Sequence, residues 1–145
     1  MHRTLEQKRA HFALKFIKSF QNDASENGDL PRIDKDFRAK LNTFIHKAPV
    51  QILQNGLGQM LAYLLADNEG KSGSKRKASK VLYDHLQDWL CGRRDNDHPC
   101  RVYESSDLME QITLNSRHHY LQAQKETLAL FAWLKKFSDA WLSEE

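Results

Sequence analysis

The sequence predicts an all-α, single-domain bundle of about six helices, built around a central buried helix at about 50–66 and a C-terminal helix at about 117–142. Apolar residues recur every three or four positions in several segments, and no segment alternates with a period of two over a useful length. No internal repeat of about 20–50 residues is visible. A chain of 145 residues, 40% apolar and 28% charged, is long enough for one domain, residues 1–145, with its own core.

The first predicted helix covers 4–21, where Thr4 and Gln7 have the spacing of a capping box. Its apolar stripe consists of Leu5, Phe12, Ala13, Phe16, Ile17 and Phe20. A loop with turn-forming residues follows at 22–32. A second helix at about 34–46 then faces inward with Phe37, Leu41, Phe44 and Ile45.

The central helix is predicted to follow a turn at Ala48, because Pro49 disfavours a helical conformation in the residue before it. Residues 57–66 are apolar almost throughout, which indicates a helix enclosed by other helices. Gly56 and Gly58 each weaken a helix interior by about 1 kcal/mol relative to alanine. We therefore expect another backbone or a ligand to approach closely at the two glycines.

Three further helices are predicted at about 75–91, 106–114 and 117–142. Gly92 is expected to end the first of them, and Asn115 or Ser116 to cap the last. The polar segments that connect the helices are expected to be flexible. They lie at about 22–32, 67–75 and 92–104.

The charge balance is only mildly basic, with a net charge of +3 and a pI near 8.9, so it permits nucleic-acid binding without requiring it. Residues 70–80 carry five basic groups and no acid, which suits either an electrostatic arm for phosphates or a solvated linker. We expect a reduced, cytoplasmic protein. Residues 2–20 are too basic for a signal peptide, the 50–66 stretch is short for a membrane span, and two cysteines give no disulfide framework.

Motifs that resemble known chemistry lack the residues that the chemistry needs. The Gly56–Gly58 pair has neither the third glycine nor the preceding strand of a dinucleotide site, and Lys71 lacks the glycine that a phosphate-binding loop requires at position 65. No pair has the spacing of a structural zinc site. The residues considered for zinc are His85, Cys91, His98 and Cys100.

The adjacent pair His118 and His119 suggests no acid–base site, because neighbouring helical residues point about 100° apart and no third residue completes a triad. Glu126 is expected to pair with a buried donor or a basic residue rather than to act in catalysis. The sequence thus predicts no catalytic residue, no cofactor and no metal ion.

Three blocks of residues carry a family resemblance. The first is Lys47-x-Pro49-x-x-Ile52-x-x-Asn55-Gly56-Leu57-x-Gln59-x-Leu61-Ala62-Tyr63. The second runs from Ile112-Thr113 through Asn115-Ser116 to Tyr120 and Glu126, and the third is Trp133-Leu134-Lys135-Lys136-Phe137. In this order and spacing the chain resembles the small, all-helical subunit of the type III-B (Cmr) CRISPR RNA-guided effector complex.

The resemblance implies a non-catalytic subunit of a ribonucleoprotein that acts in antiviral defence. Copies of the chain would stack as a filament beside the backbone subunits and would line the groove that holds target RNA. The implied partners are the backbone and large subunits of the complex, further copies of this chain, CRISPR RNA and target RNA.

Sequence-independent RNA binding needs lysine and arginine on phosphates, because guide–target pairing supplies the sequence information. The predicted nucleic-acid-binding residues are Lys40, Lys47, Arg76, Lys77, Lys135 and Lys136. Two other classes fit the same residues. One is a stand-alone helical nucleic-acid-binding protein, although no helix-turn-helix signature is present. The other is a protein-interaction module whose basic residues remain solvated.

Overall fold

The computed structural model describes residues 3–20, 35–67, 77–92 and 101–142, and within these ranges the chain forms six α-helices and no strand. This architecture confirms the predicted all-α bundle. The helices are α1 Leu5–Lys18, α2 Lys35–Asn55, α3 Leu57–Asp67, α4 Ala78–Cys91, α5 Leu108–Leu114 and α6 Arg117–Trp141. The predicted flexibility of 22–32 and of most of 67–75 and 92–104 lies outside the described residues.

Helix starts and ends follow from local chemistry. The Thr4 hydroxyl accepts a hydrogen bond from the Gln7 N–H at 3.1 Å, and the Gln7 side chain accepts one from the Thr4 N–H at 2.7 Å. This reciprocal pair confirms the predicted capping box. Ser116 caps α6 by accepting from the His119 N–H, and α4 ends at Gly92 as predicted.

The predicted turn at Ala48 and the predicted helix start near residue 50 are wrong. Helix α2 continues through Pro49 to Asn55, and the chain breaks at Gly56 instead. Ala48 and Ile52 are both buried in the core on either side of the proline. We infer that this packing keeps the helix continuous, although a proline in a helix interior costs about 3 kcal/mol.

The break at Gly56 has a backbone angle φ of +89°, in the left-handed region that favours glycine. Helix α3 begins immediately afterwards, and its first N–H groups need partners outside the helix. Two side chains of α6 supply them. The Leu57 N–H donates to Gln124 Oε1 at 3.0 Å, and the Gly58 N–H donates to the Tyr120 hydroxyl at 2.9 Å. The close approach at the glycines is therefore made by side chains of α6 and not by another backbone or a ligand, as the sequence had led us to expect.

A buried carboxylate joins three helices inside the bundle. Glu126 of α6 is 7% exposed, and it accepts hydrogen bonds from Arg9 Nε and Arg9 Nη2 of α1, each at 2.7 Å. It also accepts one from Trp89 Nε1 of α4 at 3.0 Å. The predicted pairing of Glu126 with a buried donor or a basic residue is confirmed.

The α2–α3 junction gives a test with a matched control. Gly56→Ala should lower the free energy of unfolding by about 1–3 kcal/mol, because it forces a side chain into the left-handed region. An added Cβ would also lie 2.8 Å from the Tyr120 hydroxyl. At Gly58 the nearest atom is at 3.6 Å, so Gly58→Ala should change stability by less than about 1 kcal/mol. Urea unfolding measures both, and equal losses would contradict the account of the junction.

A second test concerns Glu126. Glu126→Ala removes the buried carboxylate from Arg9, whose side chain is 15% exposed, so we expect a loss of about 3–5 kcal/mol in urea unfolding. Asp84→Ala is the control, since it breaks an exposed pair with Lys80 and should cost less than about 1 kcal/mol. A loss at position 126 no larger than the control's would show that the buried pair contributes little.

Candidate nucleic-acid interface

Helices α2 and α3 and the start of α4 enclose a groove of about 420 Å³, here called the lysine groove. Lys40 and Lys47 of α2 lie on one side of that helix because they are seven residues, or two turns, apart. Lys77, which precedes the first residue of α4, lines the same groove. Three of the predicted nucleic-acid-binding residues therefore come together, although Lys40 and Lys77 are 37 positions apart in the chain.

Helix α3 supplies two further lining residues of the lysine groove. Tyr63 and Asp67 stand four residues apart on α3, and both line the groove. The Phe44 ring meets the Tyr63 ring nearly edge-on, with ring centroids 6.1 Å apart and an interplanar angle of 60°. Phe44, which was predicted to face inward, is half-buried, packs against the core and also lines the groove.

Positive charge dominates the groove, because the described residues that line it carry three ammonium groups and one carboxylate. The Lys40 ammonium is 3.3 Å from the carboxylate of Asp36, but both side chains are more than half exposed. An exposed pair of this kind contributes about 0–1 kcal/mol, so a phosphate can replace Asp36 at little cost.

The other predicted residues do not line this groove. Helix α2 uses a different flank to contact α6, where the Ser138 hydroxyl donates to Asn42 and His46 Nε2 lies 2.8 Å from Asp139. Lys135 and Lys136 of α6 therefore lie apart from the lysine groove. The Lys136 ammonium lies 5.9 Å from the centre of the Trp133 ring. Arg76 lies outside the described residues, and its role remains a prediction.

The residues considered for zinc lie in surroundings that do not favour a metal site. The His85 ring is stacked between Phe12 and Phe16, with ring centroids at 4.3 and 3.9 Å. Burial raises the pKa of the Cys91 thiol to about 11. The described ranges hold no group of three or more histidine, cysteine or acidic residues placed to bind a metal ion. His98 and Cys100 lie outside those ranges.

The histidine pair at the start of α6 also has a structural setting. His119 Nδ1 lies 2.8 Å from the hydroxyl of Ser116, the residue that caps the helix. The His119 ring is loosely stacked on Tyr103, with centroids 6.2 Å apart, whereas His118 is exposed. The two histidine rings are nearly perpendicular, with centroids 6.0 Å apart and an interplanar angle of 81°.

The similarity to known proteins extends over almost the whole chain and defines a class of CRISPR-associated, all-helical proteins. The family model described as CRISPR-associated protein (Cas_Cmr5) matches residues 5–141. The crystal structure of a CRISPR-associated Cmr5 family protein from Thermus thermophilus is 26% identical, with a TM-score of 0.65. The match covers 97% of this chain and 100% of that one.

This chain belongs to the Cmr5 family and is a small subunit of the type III-B (Cmr) CRISPR effector complex. The resemblance found in the sequence is confirmed. Among the described residues, no helix is both long and apolar enough to cross a membrane.

Sequence reasoning missed the aromatic and acidic wall of the groove. Tyr63 was placed in a helix enclosed on all sides, but it is 43% exposed. The signal was present in the helical period, because Tyr63 lies off the stripe that α3 buries. That stripe consists of Leu57, Met60, Leu61 and Leu64.

The raised pKa of Cys91 can be tested with a thiol reagent. In a Cys100→Ser variant Cys91 is the remaining cysteine, and about 0.1% of it should be thiolate at pH 8. Reaction with Ellman's reagent should therefore be slow in the folded protein and should accelerate as the pH rises toward 11. The same variant unfolded in guanidinium should react fast at pH 8. Equally fast reaction of the folded protein would contradict the burial of this thiol.

Proposed function

We propose that this chain is a non-catalytic subunit that lines the target-RNA groove of a Cmr ribonucleoprotein and contacts RNA phosphates through the lysine groove. The observation that carries the proposal is the convergence of Lys40, Lys47 and Lys77 on one groove. Cytoplasmic transcripts would be its targets, and their recognition would rest with the guide RNA.

The chemistry of the groove fits a sequence-independent contact. Lysine ammonium groups neutralise phosphates and release counterions, which favours binding to any sequence. Lys40 and Lys47 are about 10 Å apart along the axis of α2, so they can engage different phosphates. In an RNA-guided complex the base pairs with the guide determine which strand is held.

Exposed apolar side chains support contacts with other subunits. Leu53 near the end of α2 is 74% exposed, and Leu114 at the end of α5 is 68% exposed. Leu121 in the second turn of α6 is half exposed. Exposed apolar side chains that form a contiguous patch mark protein–protein interaction sites. We propose that such contacts stack copies of the chain as a filament beside the backbone subunits, with Lys135 and Lys136 as a further RNA-contacting surface.

Membership of an RNA-containing assembly can be tested in the native host. Affinity purification through a tag on this chain, followed by RNA extraction and sequencing, should recover short guide RNAs together with the other Cmr subunits. Purification from a strain without the CRISPR array is the control. Recovery of the other subunits without guide RNA, or of this chain alone, would contradict the proposal.

The phosphate contacts predict a change in salt dependence. A variant with Lys40, Lys47 and Lys77 changed to Gln should retain target RNA less well in the assembled complex. The plot of log K for RNA association against log salt concentration has a negative slope, and its magnitude should decrease by about 2. Each single-stranded phosphate contact contributes about 0.7 to that magnitude. The matched control changes Lys18, Lys80 and Lys125, which do not line the groove. An unchanged slope in the first variant would show that the groove lysines remain in water and contact no phosphate.

A further inference from the structure

We infer that the lysine groove holds one unpaired nucleotide with its base stacked on Tyr63, so that it favours single-stranded over duplex RNA. The inference rests on the proposed function, because it assigns the kind of RNA that the same groove takes. It adds a base contact on α3 to the phosphate contacts already proposed on α2 and α4.

The elements that line the groove differ in charge. Helix α2 contributes Lys40 and Lys47, and the residue before α4 contributes Lys77. The α3 side carries Tyr63 and Asp67 instead. A carboxylate repels phosphate, whereas it accepts hydrogen bonds from the amino and imino groups of bases. A nucleotide in the groove is therefore oriented with its phosphates toward the lysines and its base toward α3.

Tyr63 has a ring surface available for stacking. It is 43% exposed, and its neighbour Phe44 meets it nearly edge-on at a centroid distance of 6.1 Å. Such a contact leaves at least one face of the Tyr63 ring uncovered by Phe44 and restrains the ring. Tyr63 and Asp67 are four residues apart on α3, so they lie on the same side of the helix. The ring and the carboxylate can thus contact the face and the edge of one base.

The size of the groove accommodates a single nucleotide. Its volume of about 420 Å³ falls within the range of about 300–1,000 Å³ that small-ligand sites occupy. A base in a duplex is stacked between its neighbours and does not present a free face, whereas an unpaired base stacks readily on an aromatic side chain. Stacking on Tyr63 therefore requires a nucleotide of the target strand that is not paired with the guide.

The experiment measures binding of the full-length chain to fluorescein-labelled RNA at low salt by anisotropy. The probes are an eight-nucleotide oligoadenylate, the corresponding abasic oligomer, and a duplex of oligoadenylate with oligouridylate. Tyr63→Ala should weaken oligoadenylate binding about 5- to 150-fold, the range for loss of one stacked base. Binding of the abasic and duplex probes should not change, and Tyr63→Phe, which keeps the ring, should bind all probes like the wild type.

The salt slope separates the inference from the proposed function. Tyr63→Ala should leave the salt slope unchanged, whereas the variant with Gln at 40, 47 and 77 should reduce the magnitude of that slope. A lowered slope in the lysine variant together with unchanged oligoadenylate binding by Tyr63→Ala would overturn the stacking inference alone. Equal weakening of all three probes by Tyr63→Ala would also overturn it. An unchanged slope in the lysine variant would overturn the proposed phosphate contacts, and circular dichroism melting checks that every variant is folded.

Discussion

The packing of the bundle depends on one buried carboxylate. Burying an isolated charge is strongly unfavourable, so Glu126 must be paired wherever it is enclosed. Its two bonds from Arg9 and its bond from Trp89 have fixed directions, unlike the apolar contacts around them. They therefore fix how α1 and α4 lie against α6. Helix α4 also supplies one side of the lysine groove, so the position of Lys77 depends on this interior contact.

Helix α6 positions the other wall of the groove as well. Tyr120 and Gln124 hold the first turn of α3 through its backbone N–H groups, and α3 carries Tyr63 and Asp67. The last helix thus holds both α3 and α4, although none of its residues lines the groove. This arrangement separates the residues that determine the shape of the surface from those that give it its charge.

The structural features that depend on neighbouring residues were predicted from the sequence. The features that depend on contacts between distant parts of the chain were missed. The Thr4–Gln7 capping box and the Ser116 cap are local, and both were predicted. The continuity of α2 through Pro49 depends on packing around Ala48 and Ile52, so the local rule for proline led to the wrong boundary. In the candidate site, lysines could be proposed from charge and family resemblance, but their convergence required the positions of α2 and α4.

The corner at Gly56 has a consequence for the thermodynamics of binding. Its left-handed conformation and the bonds from α6 hold α3 at a fixed angle before any ligand arrives. A preorganised wall avoids the loss of conformational entropy that accompanies ordering on binding. RNA association would then proceed without folding of this wall, with a small change in heat capacity and fast encounter. The junction at Gly56 therefore holds the α3 residues of the groove in place before RNA binds.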